Sequence, residues 1–374
     1  MDKRIYLSAP HMGGKEKAFI DHAFEENWIA PLGPNVNGFE EDIQQYASIK
    51  SAAALSSGTA AIHLALILSG VGHDDVVMAS SFTFSATINP IVYQGAQPVL
   101  IDSEEETWNM DPDLLEQSIK AYINKGKKPK AVIFVHLYGM PGKIEEIAAI
   151  CNTYEIPLIE DAAEALGASI NGRKMGTYGN FGIYSFNGNK IITTSGGGAL
   201  VADDSEKIAQ ARYLATQARD NAPHYQHKDV GYNYRMSNIA AGIGRGQMLV
   251  LDAWVEKRRA NYAFYKEALS ELGFTFLAER AGVYCNRWLT TMLLPKNSRL
   301  NREDIRKKLE EKNIETRPLW KPMHLQPIFK TCNSYLNGVS ESLFDNGICL
   351  PSSSSLTDKD KNLVAYEIIK LHND

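Results

Sequence analysis

Cysteine is scarce in this sequence, with four cysteines among 374 residues. None of them stands in a CxxC pair or at a spacing typical of metal ligands, so neither a zinc centre nor a disulfide-linked fold is indicated. We predict reduced thiols, as in the cytosol, and no bound metal ion.

Long apolar runs and an excess of positive charge are also missing. No stretch of about 18 apolar residues occurs, as a membrane-spanning helix requires, and the start MDKRIY lacks the apolar core of a secretory signal. The 39 basic and 44 acidic residues give a net charge of −5, which argues against a protein that binds nucleic acid through its phosphates. We therefore expect a soluble, cytoplasmic protein that contacts neither membranes nor nucleic acids.

The first two thirds of the chain alternate short β-rich runs with longer helical patterns. Several of the runs are continuously apolar, which is typical of strands buried on both faces. The alternation predicts an α/β fold in which helices cover both sides of a mainly parallel sheet, and ligands of such sheets bind beyond the carboxyl ends of the strands. The predicted strands are Ala52–Leu55, Val76–Ala79, Pro98–Asp102, Ala131–His136, Pro157–Asp161, Gly182–Ser185 and Gly198–Ala202, and the predicted helices are Ala60–Leu68, Asp111–Ile123 and Ile144–Tyr154.

The pattern changes after a glycine-rich stretch at Ala240–Gly246. A long helix is predicted over Gln247–Leu269, and a smaller α/β unit follows it. We place a domain boundary near residue 246, which divides the chain into a large domain, 1–246, and a small C-terminal domain, 247–374. The predicted strands of the small domain lie near Trp288–Leu294 and Glu315–Leu319, and its predicted helices near Arg302–Glu311 and Leu356–Leu371.

A segment of small polar residues, Ser56–Thr59, leads from the first predicted strand into a helix. Hydroxyl groups and backbone N–H groups at the positive end of a helix dipole suit a phosphate. The same residue types also favour an ordinary helix cap, so this segment by itself leaves both interpretations open.

An acidic and a basic residue follow two later strands. Asp161 ends an apolar strand, where a carboxylate needs either a cation, such as the protonated ring nitrogen of pyridoxal phosphate, or backbone donors, as in a helix cap. Lys190 lies between a strand end and apolar residues, where partial desolvation would free its amine for Schiff-base chemistry; a surface lysine on a polar turn is the alternative. A phosphate site, a buried acid and a reactive lysine, each after a different strand, are together what pyridoxal 5′-phosphate (PLP) requires.

Longer motifs, spread over nearly the whole chain, resemble those of one family. They are Trp28–Gly33 (WIAPLG), Ser57–Leu66 (SGTAAIHLAL), Ser81–Phe84 (SFTF), Glu160–Gly167 (EDAAEALG), Gly231–Asn238 (GYNYRMSN) and Arg317–His324 (RPLWKPMH). Through them the chain resembles the DegT/DnrJ/EryC1/StrS sugar-nucleotide aminotransferases, which use PLP and have the fold type I, aspartate aminotransferase-like architecture. The resemblance implies a large domain with a mostly parallel sheet, a small C-terminal α/β domain, PLP with pyridoxamine phosphate as its intermediate form, and a homodimer with shared active sites.

The resemblance also implies roles for individual residues. Lys190 matches the Schiff-base lysine and Asp161 the acid that pairs with the pyridine nitrogen, and these two are the predicted catalytic residues. The other predicted cofactor contacts are Phe84 on the ring, Glu164 near the 3-hydroxyl, where many relatives have Gln or His, Gly58, Thr59 and Ser185 at the phosphate, and Asn233 and Arg235 from the second subunit. For Asn233 and Arg235, hydrogen bonding within their own loop is the alternative.

Within the family, the chain is similar to the bacillosamine-pathway transaminases of bacterial protein glycosylation, through Pro10–Gly14, Asn187–Lys190 and Ala218–Asp220 with His224–His227. This similarity implies transfer of an amino group from L-glutamate to the C4 ketone of UDP-2-acetamido-2,6-dideoxy-α-D-xylo-hex-4-ulose, giving 2-oxoglutarate and a UDP-4-amino sugar. The predicted substrate contacts, for each of which a structural role is the alternative, are Trp28, His136, Asn187, Arg219, Trp320 and His324.

Three other functions stay open from the sequence. The first is amino transfer to a GDP- or dTDP-linked keto sugar, at C3 or at C4. The second is a non-catalytic regulator that binds PLP, although no DNA-binding module or basic patch supports it. The third is sugar 3-dehydration, which Lys190 disfavours because relatives with that activity have a histidine in its place.

Overall fold

The structure, a computed structural model, describes residues 4–373. Its helices are α1 Glu16–Glu25, α2 Pro34–Ala47, α3 Gly58–Leu68, α4 Asn89–Tyr93, α5 Pro112–Asn124, α6 Ile144–Thr153, α7 Ser205–Ala215, α8 Asn238–Met248, α9 Leu251–Leu269, α10 Arg302–Glu311, α11 Val339–Asn346 and α12 Asp358–Asn373. Its strands are β1 Ser51–Leu55, β2 Val76–Ser80, β3 Gln97–Ile101, β4 Ala131–Val135, β5 Leu158–Asp161, β6 Ser169–Ile170, β7 Arg173–Lys174, β8 Phe181–Ser185, β9 Gly198–Ala202, β10 Thr275–Phe276, β11 Val283–Tyr284, β12 Thr290–Leu293, β13 Arg317–Pro318, β14 Asn333–Tyr335 and β15 Gly347–Leu350.

An eight-stranded sheet forms the centre of the molecule, with the strand order β1-β9-β8-β5-β4-β2-β3-β14. The pairs from β8 to β14 are all parallel, whereas β9 runs antiparallel to both β1 and β8. The predicted α/β fold with a mainly parallel sheet is therefore confirmed, and the seven predicted strands of the first two thirds all occur. Because β1 points in the same direction as β2, β5 and β8, the carboxyl ends of these strands meet at one edge of the sheet.

Two hydrophobic layers cover the sheet, one on each face. In β4, Ala131 and Ile133 pack into the layer that contains α3 and α7, while Val132 and Phe134 pack into the layer that contains α2, α5 and α6. Side chains of a strand alternate between its two faces, so a strand covered on both sides has to be apolar throughout. This burial explains the continuous apolar runs of the sequence.

The long helix predicted over Gln247–Leu269 is in fact two helices. α8 ends at Met248 and α9 begins at Leu251, so the prediction is wrong at its start. The glycine-rich stretch lies inside α8, which packs against α1 and α2. A Cβ atom on Gly246 would lie 2.6 Å from the backbone of Glu16, and one on Gly244 would lie 2.6 Å from the Phe39 ring. These glycines therefore permit close helix packing rather than mark a linker.

A second sheet, β10-β12-β15-β13, belongs to the C-terminal unit and packs with α9, α10 and α12 around its own core. Strand pairs and bridges cross the predicted division at residue 246. β14 pairs with β3 as the last strand of the large sheet, β11 pairs with β6, and Ile5 forms a bridge with Ile314 of the C-terminal unit. For the rest of the chain the division into 1–246 and 247–374 stays a prediction.

Within residues 4–373, none of the helices combines the length and the apolar composition that a bilayer crossing needs. The same part of the chain brings together no group of three or more His, Cys, Asp or Glu side chains that could hold a metal ion. The four cysteines are free thiols, and three of them are buried.

Candidate active site

A cavity of about 450 Å³ opens at the edge of the large sheet where β1, β2, β5 and β8 end. This is the edge at which ligands of parallel sheets bind, and the volume is that of a small-molecule site. Nine of the predicted site residues line the cavity: Gly58, Thr59, Phe84, Asp161, Glu164, Ser185, Asn187, Lys190 and Trp320.

One end of the cavity is formed by the first turn of α3. Ser57 caps this helix, since its hydroxyl accepts a hydrogen bond from the N–H of Ala60 at 3.0 Å. A Cβ atom on Gly58 would lie 3.3 Å from the Cβ of Ser185, so glycine allows the helix to approach the end of β8 closely. The backbone N–H groups of the turn and the hydroxyls of Thr59 and Ser185 border the cavity together, which suits an anion such as a phosphate.

The carboxylate of Asp161 lies buried at the end of β5. It accepts hydrogen bonds from the hydroxyl of Thr87 at 2.8 Å and from the N–H of Ala163 at 3.2 Å. Removal from water raises the pKa of Asp161, although these two donors and the charge of Lys190 oppose the rise. No basic side chain of residues 4–373 lies within ion-pair distance of this carboxylate. A buried acid that lacks a cation has the chemistry to hold a protonated ring nitrogen.

Lys190 and Glu164 form an ion pair inside the cavity. The ammonium nitrogen Nζ lies 3.2 Å from Oε1 of Glu164, and the two side chains are 14% and 6% exposed. Desolvation raises the pKa of Glu164, and the Lys190 charge opposes this. Lys190 is thus a partly desolvated lysine and not an exposed surface lysine. Partial desolvation is a property that Schiff-base chemistry requires of an amine.

Glu164 is oriented from its other side by a strained peptide. Its Oε2 accepts the backbone N–H of Tyr138 at 2.8 Å, and Tyr138 has a φ of 57°, in the left-handed region that non-glycine residues seldom adopt. The Tyr138 hydroxyl in turn accepts the N–H of Trp320 at 2.8 Å. Such strain persists where the surrounding contacts demand it, and here it aims an N–H group at the carboxylate beside Lys190.

Thr87, Tyr138 and Trp288, which contact Asp161, Glu164 and Lys190 respectively, are among the residues of this site that were not predicted from the sequence. Thr87 could have been predicted, because it lies in the segment that follows β2 and ligands of parallel sheets bind at the carboxyl ends of the strands. Trp288, 1% exposed, lies with its ring 4.1 Å from Nζ of Lys190. Neither periodicity nor any of the motifs marks Trp288.

The two histidines predicted to contact the substrate do not line the cavity. His136 is fully buried, donates from Nε2 to Glu160 at 3.0 Å, and accepts the N–H of Gly142 at Nδ1. His136 and Glu160 point to the sheet face opposite Asp161, because side chains alternate along β4 and β5. His324 bonds to Ser81 at 2.7 Å and to Glu341 at 3.1 Å, which ties the C-terminal unit to the end of β2.

Three further predicted residues, Arg219, Asn233 and Arg235, line a separate surface cavity of about 610 Å³ together with Leu32. Arg235 is buried and pairs with Glu40 at 2.9 Å, so its charge is engaged within its own chain. Trp28 lies nearby and is half exposed, with its indole N–H donating to the Leu32 carbonyl. Apart from the two histidines, the predicted residues therefore fall into two clusters at different cavities.

Comparison with known proteins gives consistent matches along the chain. The sequence model of the DegT/DnrJ/EryC1/StrS aminotransferase family matches residues 10–368. EpsN of Bacillus subtilis (strain 168), which is named as a pyridoxal phosphate-dependent aminotransferase, is 53% identical over 99% of this chain and 96% of its own. GDP-perosamine synthase of Escherichia coli O157:H7 is 33% identical over 100% of both chains. The solved structure of a DegT DnrJ EryC1 StrS aminotransferase from Brucella abortus has a TM-score of 0.90 at 28% identity, with 96% of each chain covered.

Proposed function

Since the chain belongs to the DegT/DnrJ/EryC1/StrS aminotransferase family and is a PLP-dependent sugar aminotransferase, we propose that it moves the amino group of L-glutamate to the C4 ketone of a UDP-linked 4-keto-6-deoxy-N-acetylhexosamine. The observation that carries the site assignment is that Lys190, paired with Glu164, lines the same cavity as the buried carboxylate of Asp161. The products are 2-oxoglutarate and a UDP-4-amino sugar, a precursor for glycans.

The residues of the cavity fit PLP at each of its functional groups. Asp161 is placed to hold the protonated ring nitrogen, because it is a buried acid without a cation of its own. The first turn of α3, with Thr59 and Ser185, provides donors for the phosphate. The ring of Phe84, 58% exposed, offers a face for stacking, which contributes about 0.5–1.5 kcal/mol beyond the buried area. Glu164, which is paired with Lys190, would be the residue that contacts the 3-hydroxyl.

The chemistry then divides between the cofactor and the chain. When bound, PLP supplies an aldehyde that bonds to amines and a ring that takes up the electrons released at the α-carbon of the donor. Asp161 keeps the ring nitrogen protonated, which makes that uptake favourable. Nζ of Lys190 would accept the proton from the α-carbon of glutamate and pass it to the former aldehyde carbon of the cofactor, and in the second half of the reaction it would carry a proton from that carbon to C4 of the sugar. Glu164, which the backbone N–H of Tyr138 orients, holds Nζ at the cavity wall.

The charges of the cavity support a working unit of two chains. Glutamate carries two carboxylates and a sugar nucleotide carries a diphosphate. Among the described residues that line the cavity, Lys190 is the one basic side chain, and Asp161 and Glu164 are acidic. Anionic substrates need further cations, so we propose a homodimer in which Arg219, Asn233 and Trp28 of one subunit complete the cavity of the other. Arg235, engaged with Glu40, would support the loop that carries Asn233.

Mixing two inactive variants tests this shared site. Loss of the cofactor contact in Asn233→Ala is expected to weaken PLP binding by roughly ten- to a hundredfold. At a PLP concentration that leaves this variant empty, neither it nor Lys190→Ala is active by itself. Half of the dimers from a co-expressed mixture are mixed, and each has one intact site, so about a quarter of the unsubstituted activity should return. A mixture as inactive as its parents, with mixed dimers verified by two affinity tags, contradicts the shared site.

Two observations bear on the sugar nucleotide. Asn187 and Trp320 line the cavity beyond Lys190, and the indole N–H of Trp320 is buried without a hydrogen-bond partner among residues 4–373, which leaves a donor for a sugar oxygen. The bacillosamine-type motifs favour UDP and an N-acetylated sugar. The second candidate is a GDP-linked 4-keto-6-deoxy sugar, favoured by the 33% identity to a GDP-perosamine synthase over the full chain.

A panel of nucleotide sugars decides between these substrates. UDP-, dTDP- and GDP-linked 4-keto-6-deoxy sugars, with and without the 2-acetamido group, are supplied with L-glutamate, and the products are identified by mass spectrometry. We expect the UDP-linked N-acetylated sugar to have the highest kcat/KM and to gain its amine at C4. A higher kcat/KM for a GDP-linked sugar supports the second candidate, and amine at C3 contradicts the proposed position.

A further inference from the structure

Trp288 contacts the lysine segment at two points. Its indole N–H donates to the carbonyl of Asn189 at 2.7 Å, and the face of its ring lies 4.1 Å from Nζ of Lys190. The side chain is almost fully buried, and it borders the cavity from the C-terminal unit. One side chain therefore holds both the peptide that precedes Lys190 and the charged end of Lys190 itself.

Trp288 is itself held in place by a buried guanidinium. Arg258 of α9, 1% exposed, donates to the carbonyl of Trp288 at 2.6 Å and to the hydroxyl of Ser8 at 3.1 Å. The Ser8 hydroxyl donates to the same Asn189 carbonyl that the indole N–H reaches, at 2.6 Å. The indole and the lysine peptide thus belong to one hydrogen-bonded network, which fixes their relative position.

The two side chains beside Lys190 differ in what they recognise. An aromatic face attracts an ammonium and gives a neutral amine no comparable attraction. On the basis of the function proposed above for Lys190, we propose that Trp288 is a positioning residue of the reaction. Its ring holds the protonated amine against the cavity wall and releases the amine once the proton has left. Its N–H fixes the peptide from which Lys190 reaches the cofactor.

Removal of the ring changes how covalent attachment of PLP depends on pH. Only a neutral amine bonds to the aldehyde. The aromatic contact stabilises the protonated amine, so without the ring the amine loses its proton more readily and half-maximal attachment occurs at a lower pH. The strength of ammonium–aromatic contacts corresponds to a displacement of roughly 0.4–1.5 pH units. Asp161 and Glu164 are the titratable groups that face Lys190 from β5 and the turn after it, and they stay unchanged in the variants.

The experiment measures attachment instead of turnover. The full-length protein is freed of cofactor and mixed with PLP between pH 6 and 10, borohydride fixes the bond at successive times, and mass spectrometry measures the label on the Lys190 peptide. In Trp288→Leu we expect the pH of half-maximal attachment (the midpoint) to move to a lower value. We also expect the rate of attachment reached at high pH (the plateau) to fall. Trp288→Phe keeps a ring face but no N–H, so its plateau falls and its midpoint moves less than that of Trp288→Leu.

Trp254 provides a matched control away from the cavity. It is also a buried tryptophan, its N–H donates to the carbonyl of His11 at 3.2 Å, and its ring lies 4.6 Å from Nζ of Lys257. Trp254→Leu and Trp254→Phe should leave the pH dependence of PLP attachment to Lys190 unchanged. The inference is overturned if the Trp288 variants keep the unsubstituted midpoint and plateau, or if the Trp254 variants change them equally. If Trp288→Leu does not fold, an unchanged plateau in Trp288→Phe overturns it.

The two proposals can fail separately in this experiment. Label on a lysine other than Lys190 in the unsubstituted protein contradicts the proposed function. Label on Lys190 with a profile indifferent to Trp288 contradicts only the positioning role.

Discussion

Lys190→Ala is expected to remove transaminase turnover, measured as 2-oxoglutarate released from glutamate in the presence of the keto sugar. One amine supplies both the bond to the cofactor and the proton transfers at the two substrate carbons. Proton transfer by a positioned side chain alone contributes about 10²–10⁴-fold, and loss of the nucleophile adds to that. The variant should still bind PLP through its phosphate and ring contacts, without a bond that borohydride can fix.

Two substitutions separate the reactive amine from its charge. Lys190→Arg keeps a cation beside Glu164 and Trp288 but should be as inactive as the alanine variant, because a guanidinium does not give up its proton. Lys174→Ala removes an ammonium that also lies near an aromatic ring, at 4.5 Å from that of Tyr46, but outside the cavity, and should keep its activity. Turnover by Lys190→Ala above the rate without enzyme contradicts the assignment.

Asp161→Asn is expected to lower kcat by about 10²–10⁴-fold, the range in which loss of one electrostatic or acid–base group falls. An amide of the same shape cannot keep the ring nitrogen protonated, so the ring takes up electrons poorly. The change should not unfold the protein, because an amide can still accept from Thr87 at the same place. Unchanged turnover in this variant contradicts the pairing of Asp161 with the ring nitrogen.

The pH dependence of stability gives an independent check on Asp161. Its pKa is raised in the folded protein, chiefly by desolvation, so the folded state retains a proton on Asp161 at pH values where the unfolded chain has lost it. The free energy of unfolding of the cofactor-free protein therefore falls as the pH rises from the ordinary carboxyl range through the raised pKa. Asp161→Asn should remove this part of the fall, as measured by urea unfolding between pH 4 and 8.

Asp102 provides the matched control for a buried carboxylate outside the site. Its oxygens accept N–H groups of Ser103, Asn337, Gly338 and Ser340 at 2.8–3.2 Å. Asp102→Asn turns an amide group toward these donors and should lower the free energy of unfolding by about 1–3 kcal/mol. The folded fraction should retain its kcat, which is the opposite of the result expected for Asp161→Asn.

Three of the residues that sequence reasoning located share one property: each stands at or just after the end of a strand of the large sheet. Gly58, Asp161 and Ser185 come at or just after the carboxyl ends of β1, β5 and β8, and these strands are visible as apolar runs. His136 also follows such a strand but points to the other face, as the alternation along β4 requires. Because side chains alternate along a strand, His136 shares the face of Val132 and Phe134. Counting from Val132 would therefore have predicted that His136 faces away from Asp161.

The sequence by itself determined where the strands of the first two thirds lie along the chain, the mainly parallel character of the sheet, and the presence of an acid and a lysine after its strands, because burial on two faces and polar strand ends are local properties of the chain. It did not determine that α8 and α9 are separate helices, or that β14 completes the large sheet, since both depend on surfaces supplied by distant segments. Only the tertiary structure decided that Trp288 reaches Lys190. That contact forms when complete elements of two units pack together, and no local pattern records such packing.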